Sequence, residues 1–92
     1  MSVIDLEDCP RLRRGYRFQW EPAQGCHVLL YPEGMVQLND SAAHILKLVD
    51  GNHSIGQIIA QLQVQFPSAA DLSDDVLIFM ETAYARFWLE SC

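Results

Sequence analysis

The sequence predicts an α+β domain in which a three-stranded antiparallel sheet is followed by a three-helix bundle. Two observations carry most of this. Tyr16, Phe18 and Trp20 alternate with Arg17 and Gln19, the two-residue period of a strand with one buried face. Beyond residue 41 the apolar residues recur instead at intervals of three and four, the period of helices. The change of period falls at Asn39-Asp40-Ser41, a run of helix-capping side chains.

The first strand is expected at about residues 16–20, and Glu21-Pro22-Ala23-Gln24-Gly25 reads as the loop after it. Residues 26–31 (CHVLLY) form a second, more fully apolar strand. Pro32-Glu33-Gly34 then reads as a three-residue connection whose glycine suits a left-handed position. A third strand at about 35–38 puts Val36 and Leu38 on one face and Met35 and Gln37 on the other. Consecutive hairpins place the second strand in the centre, so strands one and three are edges, and an edge must be covered, blunted or used.

Three helices follow. Ala42, Ile45, Leu46 and Val49 share one face of a helix over about 41–50 that Gly51 stops. Ser54 caps a helix over about 55–66 with Ile55, Ile58, Ile59, Leu62 and Phe66 on one side, ended by Pro67. Ser73 is the expected cap of a third helix over about 74–90, with Asp74 and Asp75 in its first turn, where negative charge favours the helix dipole. From Val76 to Leu89, eleven of fourteen positions are apolar. Val76, Phe79, Met80, Ala83 and Phe87 make one stripe, and Leu77, Tyr84 and Trp88 a second. A helix apolar on more than one side is buried on more than one side. The first stripe belongs to the core, and the second meets a self-association partner or a ligand.

Composition bounds the function. Ninety-two residues make one domain, with residues 1–14 read as an N-terminal extension and 15–92 as the folded unit. No apolar run is long enough for a membrane span, and the acidic start (MSVIDLEDCP) is unlike a secretory signal, so a cytoplasmic location is expected. Twelve acidic against six basic residues give a net charge of −6, a poor match to a polyanion. Four of the six cations, Arg11, Arg13, Arg14 and Arg17, are clustered; they are read either as a solvated lead-in to the sheet or as a contact for a partner.

Cys9, Cys26 and Cys92 are widely spaced and read as free thiols. His27, His44 and His53 show no ligand spacing, and no metal or cofactor is expected. His44, beside Ile45, reads as a partly buried structural histidine. No phosphate-cradling glycine loop is present. Strands followed by short helices also suggest a winged-helix-like fold, which makes DNA binding the alternative function. The second helix has no Lys or Arg and the third only Arg86, so the phosphate contacts DNA requires are missing. An enzyme that finishes or carries a cofactor lacks candidate residues. Binding, not turnover, is the expectation.

His27-Val28-Leu29-Leu30, Pro32-Glu33-Gly34, Leu38-Asn39, Ser41-Ala42, Ile45-Leu46, Leu48, Asp50-Gly51, Ser54-Ile55, Ile58-Ile59, Leu62 and Phe66 closely resemble the PqqD family. Pro10-Arg11-Leu12 with Gly15 is similar to that family's N-terminal entry, so the resemblance covers about residues 10–90. It implies a peptide-recognition domain of pyrroloquinoline quinone biosynthesis, a chaperone that binds the ribosomally made precursor PqqA and presents it to the radical S-adenosylmethionine enzyme PqqE. In related recognition domains the peptide adds as a strand to the edge of strand three, against helix three. The expected site is therefore Met35, Val36, Gln37 and Leu38 as pairing strand, with Leu77, Met80, Tyr84 and Trp88 as helical wall. One departure stands out: the family's glycine near the end of helix three is replaced by the run Phe87-Trp88-Leu89. A helix that runs on would expose Trp88 or dock on a second copy, which makes a homodimer through helix three, or by strand exchange at the 21–25 loop, an expectation.

Overall fold

The computed structural model describes residues 4–91, which leaves Cys92 outside it. Its elements are β1 (Pro10–Leu12), β2 (Arg17–Glu21), β3 (Cys26–Tyr31), β4 (Gly34–Gln37), α1 (Asp40–Leu46), α2 (Ile55–Gln65), α3 (Leu72–Ala85) and β5 (Leu89–Ser91). The sheet β2-β3-β4 and the three helices are those the sequence predicts. The two-stranded sheet β1-β5 is not.

Register explains how the larger sheet meets the core. Phe18, Leu29 and Val36 lie in one row across it, and all three pack into the cluster that contains Ile45, Ile58, Leu62, Val76 and Met80. Tyr16 stacks on Tyr31, and His27 sits between Phe18 and Trp20, with ring centroids 4.9 and 5.1 Å away. The apolar reading of residues 26–31 is matched by Val28 and Leu29, neighbours on opposite faces and both fully buried. The β3–β4 connection is shorter than expected. Tyr31 pairs directly with Gly34, so the turn is Pro32-Glu33 alone. Gly34 is a strand residue, and the glycines at positive φ are Gly15, Gly25 and Gly51.

The helix starts follow local chemistry. The Asn39 side chain accepts from the Ala42 N–H at 2.8 Å, and Ser54 and Gln57 form a reciprocal capping box. α1 is shorter than the expected 41–50, because after Leu46 the chain tightens into i→i+3 bonds, Leu48 to Ile45 and Val49 to Leu46, before Gly51 turns it. α3 starts ahead of the expected Ser73 cap. Its N-cap is Asp71, and Leu72 joins the core packing, a larger gain than a hydroxyl cap offers.

The far end of α3 departs most from expectation. The helix stops at Ala85 rather than 90, and Phe87 takes a left-handed conformation with φ of 61°. Phe87 N–H donates to Tyr84 C=O at 3.0 Å and Trp88 N–H to Ala83 C=O at 2.9 Å, the two bonds of a Schellman motif. A phenylalanine thus occupies the position where glycine usually ends a helix, so the missing glycine does not lengthen α3. The Arg13 guanidinium lies over the Phe87 ring at 5.7 Å and offsets part of the backbone strain.

Beyond that reversal β5 pairs antiparallel with β1, Pro10 opposite Ser91 and Leu12 opposite Leu89. Part of the expected N-terminal extension is therefore integral to the fold. Upstream of β1, the carbonyls of Asp8 and Leu6 accept from Ile55 N–H and Gly56 N–H at 2.9 Å each, satisfying first-turn donors of α2.

Candidate peptide-binding groove

β4 is an edge strand, and its register shows which backbone groups remain available. Leu38 N–H donates to His27 C=O at 3.0 Å, while Leu29 opposes Val36 and Tyr31 opposes Gly34. Antiparallel residues alternate between hydrogen-bonded and non-hydrogen-bonded pairs, so Gly34, Val36 and Leu38 direct their N–H and C=O toward β3. Met35 and Gln37 direct theirs outward. The free edge therefore presents two N–H donors and two C=O acceptors at a two-residue spacing, the ladder an added strand needs.

Alongside this edge runs a groove of about 500 Å³. Val36, Gln37, Leu38 and Asn39 border it on one side, and Asp75, Ile78, Phe79 and Thr82 of α3 border it on the other. Ala42 and Ile45 of α1 and Trp88 also line it. The α3 residues are spaced i, i+3, i+4, i+7, so one continuous face of the helix forms the wall. Ile78 is 62% exposed, a large aliphatic side chain left in solvent beside an open strand edge. Trp88 is held between Phe79, 6.4 Å between ring centroids, and the Arg86 guanidinium at 5.8 Å.

The expected site residues divide cleanly. Val36, Gln37, Leu38 and Trp88 border the groove. Met35 lies in the edge strand, 41% exposed, and contributes outward backbone groups. The other helical residues are displaced. Met80 is fully buried with Val76 and Ala83, which makes it core, not wall. Leu77 and Tyr84 pack on the edge of the core away from the groove lining, with the Tyr84 hydroxyl 3.5 Å from Ser91 Oγ in β5. α3 is thus rotated so that Asp75, Ile78, Phe79 and Thr82 take the place expected of Leu77, Met80 and Tyr84. The available signal for this was the polar pair Asp75 and Thr82 bracketing Ile78 and Phe79 at helical spacing, a mixed face on an otherwise apolar helix.

The basic cluster is partly committed within the chain. Arg11 Nε meets Glu90 Oε2 at 2.9 Å across the β1–β5 pair, and Arg13 reaches the same carboxylate at 3.8 Å. Arg14 and Arg17 are exposed without an ion pair among the described residues. The histidines sit in structural settings: His44 packs edge-on against Phe66 at 4.8 Å, and His53 Nδ1 lies 2.9 Å from Asp50 Oδ1. That contact and the Asn52 N–H hold the Asp50 carboxyl below its ordinary value. Cys9 and Cys26 are free thiols. Among the described residues no helix is long and apolar enough to cross a membrane.

Comparison with known proteins bears on the same region. The family model for coenzyme PQQ synthesis protein D (PqqD) matches residues 26–89. Curated relatives called PqqA binding protein are 61% identical in Azotobacter vinelandii and 58% identical in Pseudomonas aeruginosa, each over 90 residues and 98% of both chains. Among solved structures, the NMR structure of the PqqD truncation of Methylobacterium extorquens PqqCD, a functional and stand-alone RiPP recognition element, aligns with a TM-score of 0.79 at 34% identity. That match covers 96% of this chain and 95% of the other. The crystal structure of PqqD from Xanthomonas campestris aligns with a TM-score of 0.57, also at 34% identity, over 96% of this chain and 99% of that one. The matched segment runs from β3 to β5 and takes in both walls of the groove; the chain belongs to the PqqD family.

Proposed function

We propose that this protein binds the PqqA precursor peptide as an extended strand along β4 and presents it to the radical S-adenosylmethionine enzyme PqqE, taking no part in the chemistry itself. The observation that carries this reading is the coincidence of an open strand edge, the backbone of Met35 and Gln37 facing outward, with Ile78 and Phe79 on the facing wall of α3. The names of the relatives, which speak of PqqA binding and recognition, support it. Each added backbone bond contributes only about 0.5–1.5 kcal/mol net, because both partners were hydrated before. Register therefore comes from the strand, and much of the affinity from Ile78, Phe79 and Trp88. No Lys or Arg lines the groove, so phosphates of a nucleic acid have no cationic partner there.

The test follows from the register. Val36 donates inward to β3, so proline at Val36 would damage the sheet itself. Gln37 donates outward, and proline is tolerated on an edge strand when its nitrogen faces solvent. Gln37→Pro removes one donor to the peptide and leaves a peptide carbonyl unpaired, which costs about 1–3 kcal/mol, or roughly 5- to 150-fold in Kd by calorimetry. Gln37→Ala keeps the N–H and is the control. Equal affinity of the two variants, both folded, would rule out strand addition at β4.

A further inference from the structure

A second cavity of about 370 Å³ lies between the helices, lined mainly by apolar side chains that include Leu62, Phe66, Leu72 and Val76. It adjoins the groove: Ser41, Ile45 and Asp75 line both. Its lining carries two carboxylates, Asp40 and Asp75, and neither cavity is lined by any Lys or Arg. Asp40 and Asp75 are exposed and have no ion-pair partner among the described residues. An apolar cavity whose lining holds His44 and two carboxylates without an ion pair, beside a groove for an extended chain, suits an apolar side chain with a lysine or arginine close to it in sequence.

We infer that this helical cavity is a second subsite for the same bound peptide, which inserts an apolar side chain between α1 and α3 while a neighbouring basic residue is held at Asp75. The inference rests on the groove being the peptide site and extends it past the end of β4. In an extended chain adjacent side chains point to opposite sides. Side chains two residues apart share a side, so one can fill the cavity while the other meets the exposed carboxylates of its lining. Asp75 then acts as a specificity-determining residue that selects for positive charge close to the apolar anchor. Asp75 lies in the first turn of α3, where the helix dipole favours an anion.

The experiment is calorimetric titration of PqqA peptide into the full chain at low and high salt. Asp75→Asn removes the charge and keeps the shape. It is expected to weaken binding about two- to fivefold at low salt, with the difference fading as salt rises. Replacing the basic residues of the peptide singly by methionine should identify one whose effect vanishes in the Asp75→Asn background, as a double-mutant cycle requires of a direct pair. Ala69→Trp plugs the cavity and is expected to cost about tenfold or more. Unchanged affinity for Asp75→Asn and Ala69→Trp, with Ile78→Ala weakened, would overturn the subsite and leave the groove standing. Unchanged affinity for all three would overturn the groove reading itself. Should Ala69→Trp fail to fold by circular dichroism, Ala69→Leu, a smaller plug at a residue that lines the helical cavity and not the groove, decides in its place.

Discussion

Ile78→Ala separates the groove wall from the core more sharply than any other single substitution on α3. Ile78 is 62% exposed in the free protein, so about three-fifths of its burial is still to be gained when a peptide covers it. Complete burial of an isoleucine side chain is worth about 1.5–3 kcal/mol, which leaves about 1–2 kcal/mol for the ligand. At about 1.4 kcal/mol per decade, removing it weakens Kd roughly 5- to 30-fold. Stability should hardly move: alanine is the better helix former and the position is exposed, so unfolding free energy shifts by less than about 0.5 kcal/mol. Met80→Ala, two residues on, reverses the pattern. Met80 is fully buried, and its truncation costs about 2–5 kcal/mol of stability, lowering Tm by about 4–8 °C for each kcal/mol. The assay pairs calorimetric titration of the peptide with thermal unfolding of each variant. Full peptide affinity in folded Ile78→Ala would refute the assignment of this helix face to the groove.

Two further outcomes follow from local structure. At Phe87, with φ of 61°, Ala and Gly variants both lose the ring and its Arg13 contact, but only glycine adopts that backbone without strain; Phe87→Gly should be more stable than Phe87→Ala by about 1 kcal/mol in urea unfolding. The Asp50 carboxyl is held below its ordinary value by the His53 side chain and the Asn52 N–H. Its charge therefore contributes stability that is complete above the unfolded value near 3.8 and is lost as pH falls through the lower folded value. Wild type should exceed Asp50→Asn in stability near neutral pH, and the gap should close in strong acid.

The strand half of the groove could be read from the chain because a period of two leaves little freedom. Once Phe18, Leu29 and Val36 face the core, the backbone of Met35 and Gln37 must face outward. The helical half resisted because eleven of fourteen residues from Val76 to Leu89 are apolar, and a stripe on such a helix can be drawn through several faces. Burial of Val76, Met80 and Ala83, which sets the rotation, depends on packing against α1 and α2 and has no local signature. The end of α3 was hidden for a different reason. Phe87 performs a glycine's task, and the tertiary contacts that hold it there, Arg13 over its ring and the Arg13 N–H donating to the Trp88 carbonyl at 2.9 Å, come from the opposite end of the chain. β1 and β5 are three residues each, too short to show any period.

The β1–β5 pair also sets an order of assembly. It joins positions about 80 residues apart, whereas the β2–β3 and β3–β4 hairpins close over a few. Loop closure over that span costs about 2 kcal/mol more than over ten residues, so the clasp forms after the hairpins and helices have created the surface it closes on. Trp88, a lining residue of the groove held locally by Ala83, is tied to Arg13 as well by that backbone bond, so the last step adds a long-range hold on it. Pairing β1 with β5 and securing this part of the groove are therefore coupled. A chain truncated before β5 would keep the open edge of β4 but lose the clasp's hold on Trp88.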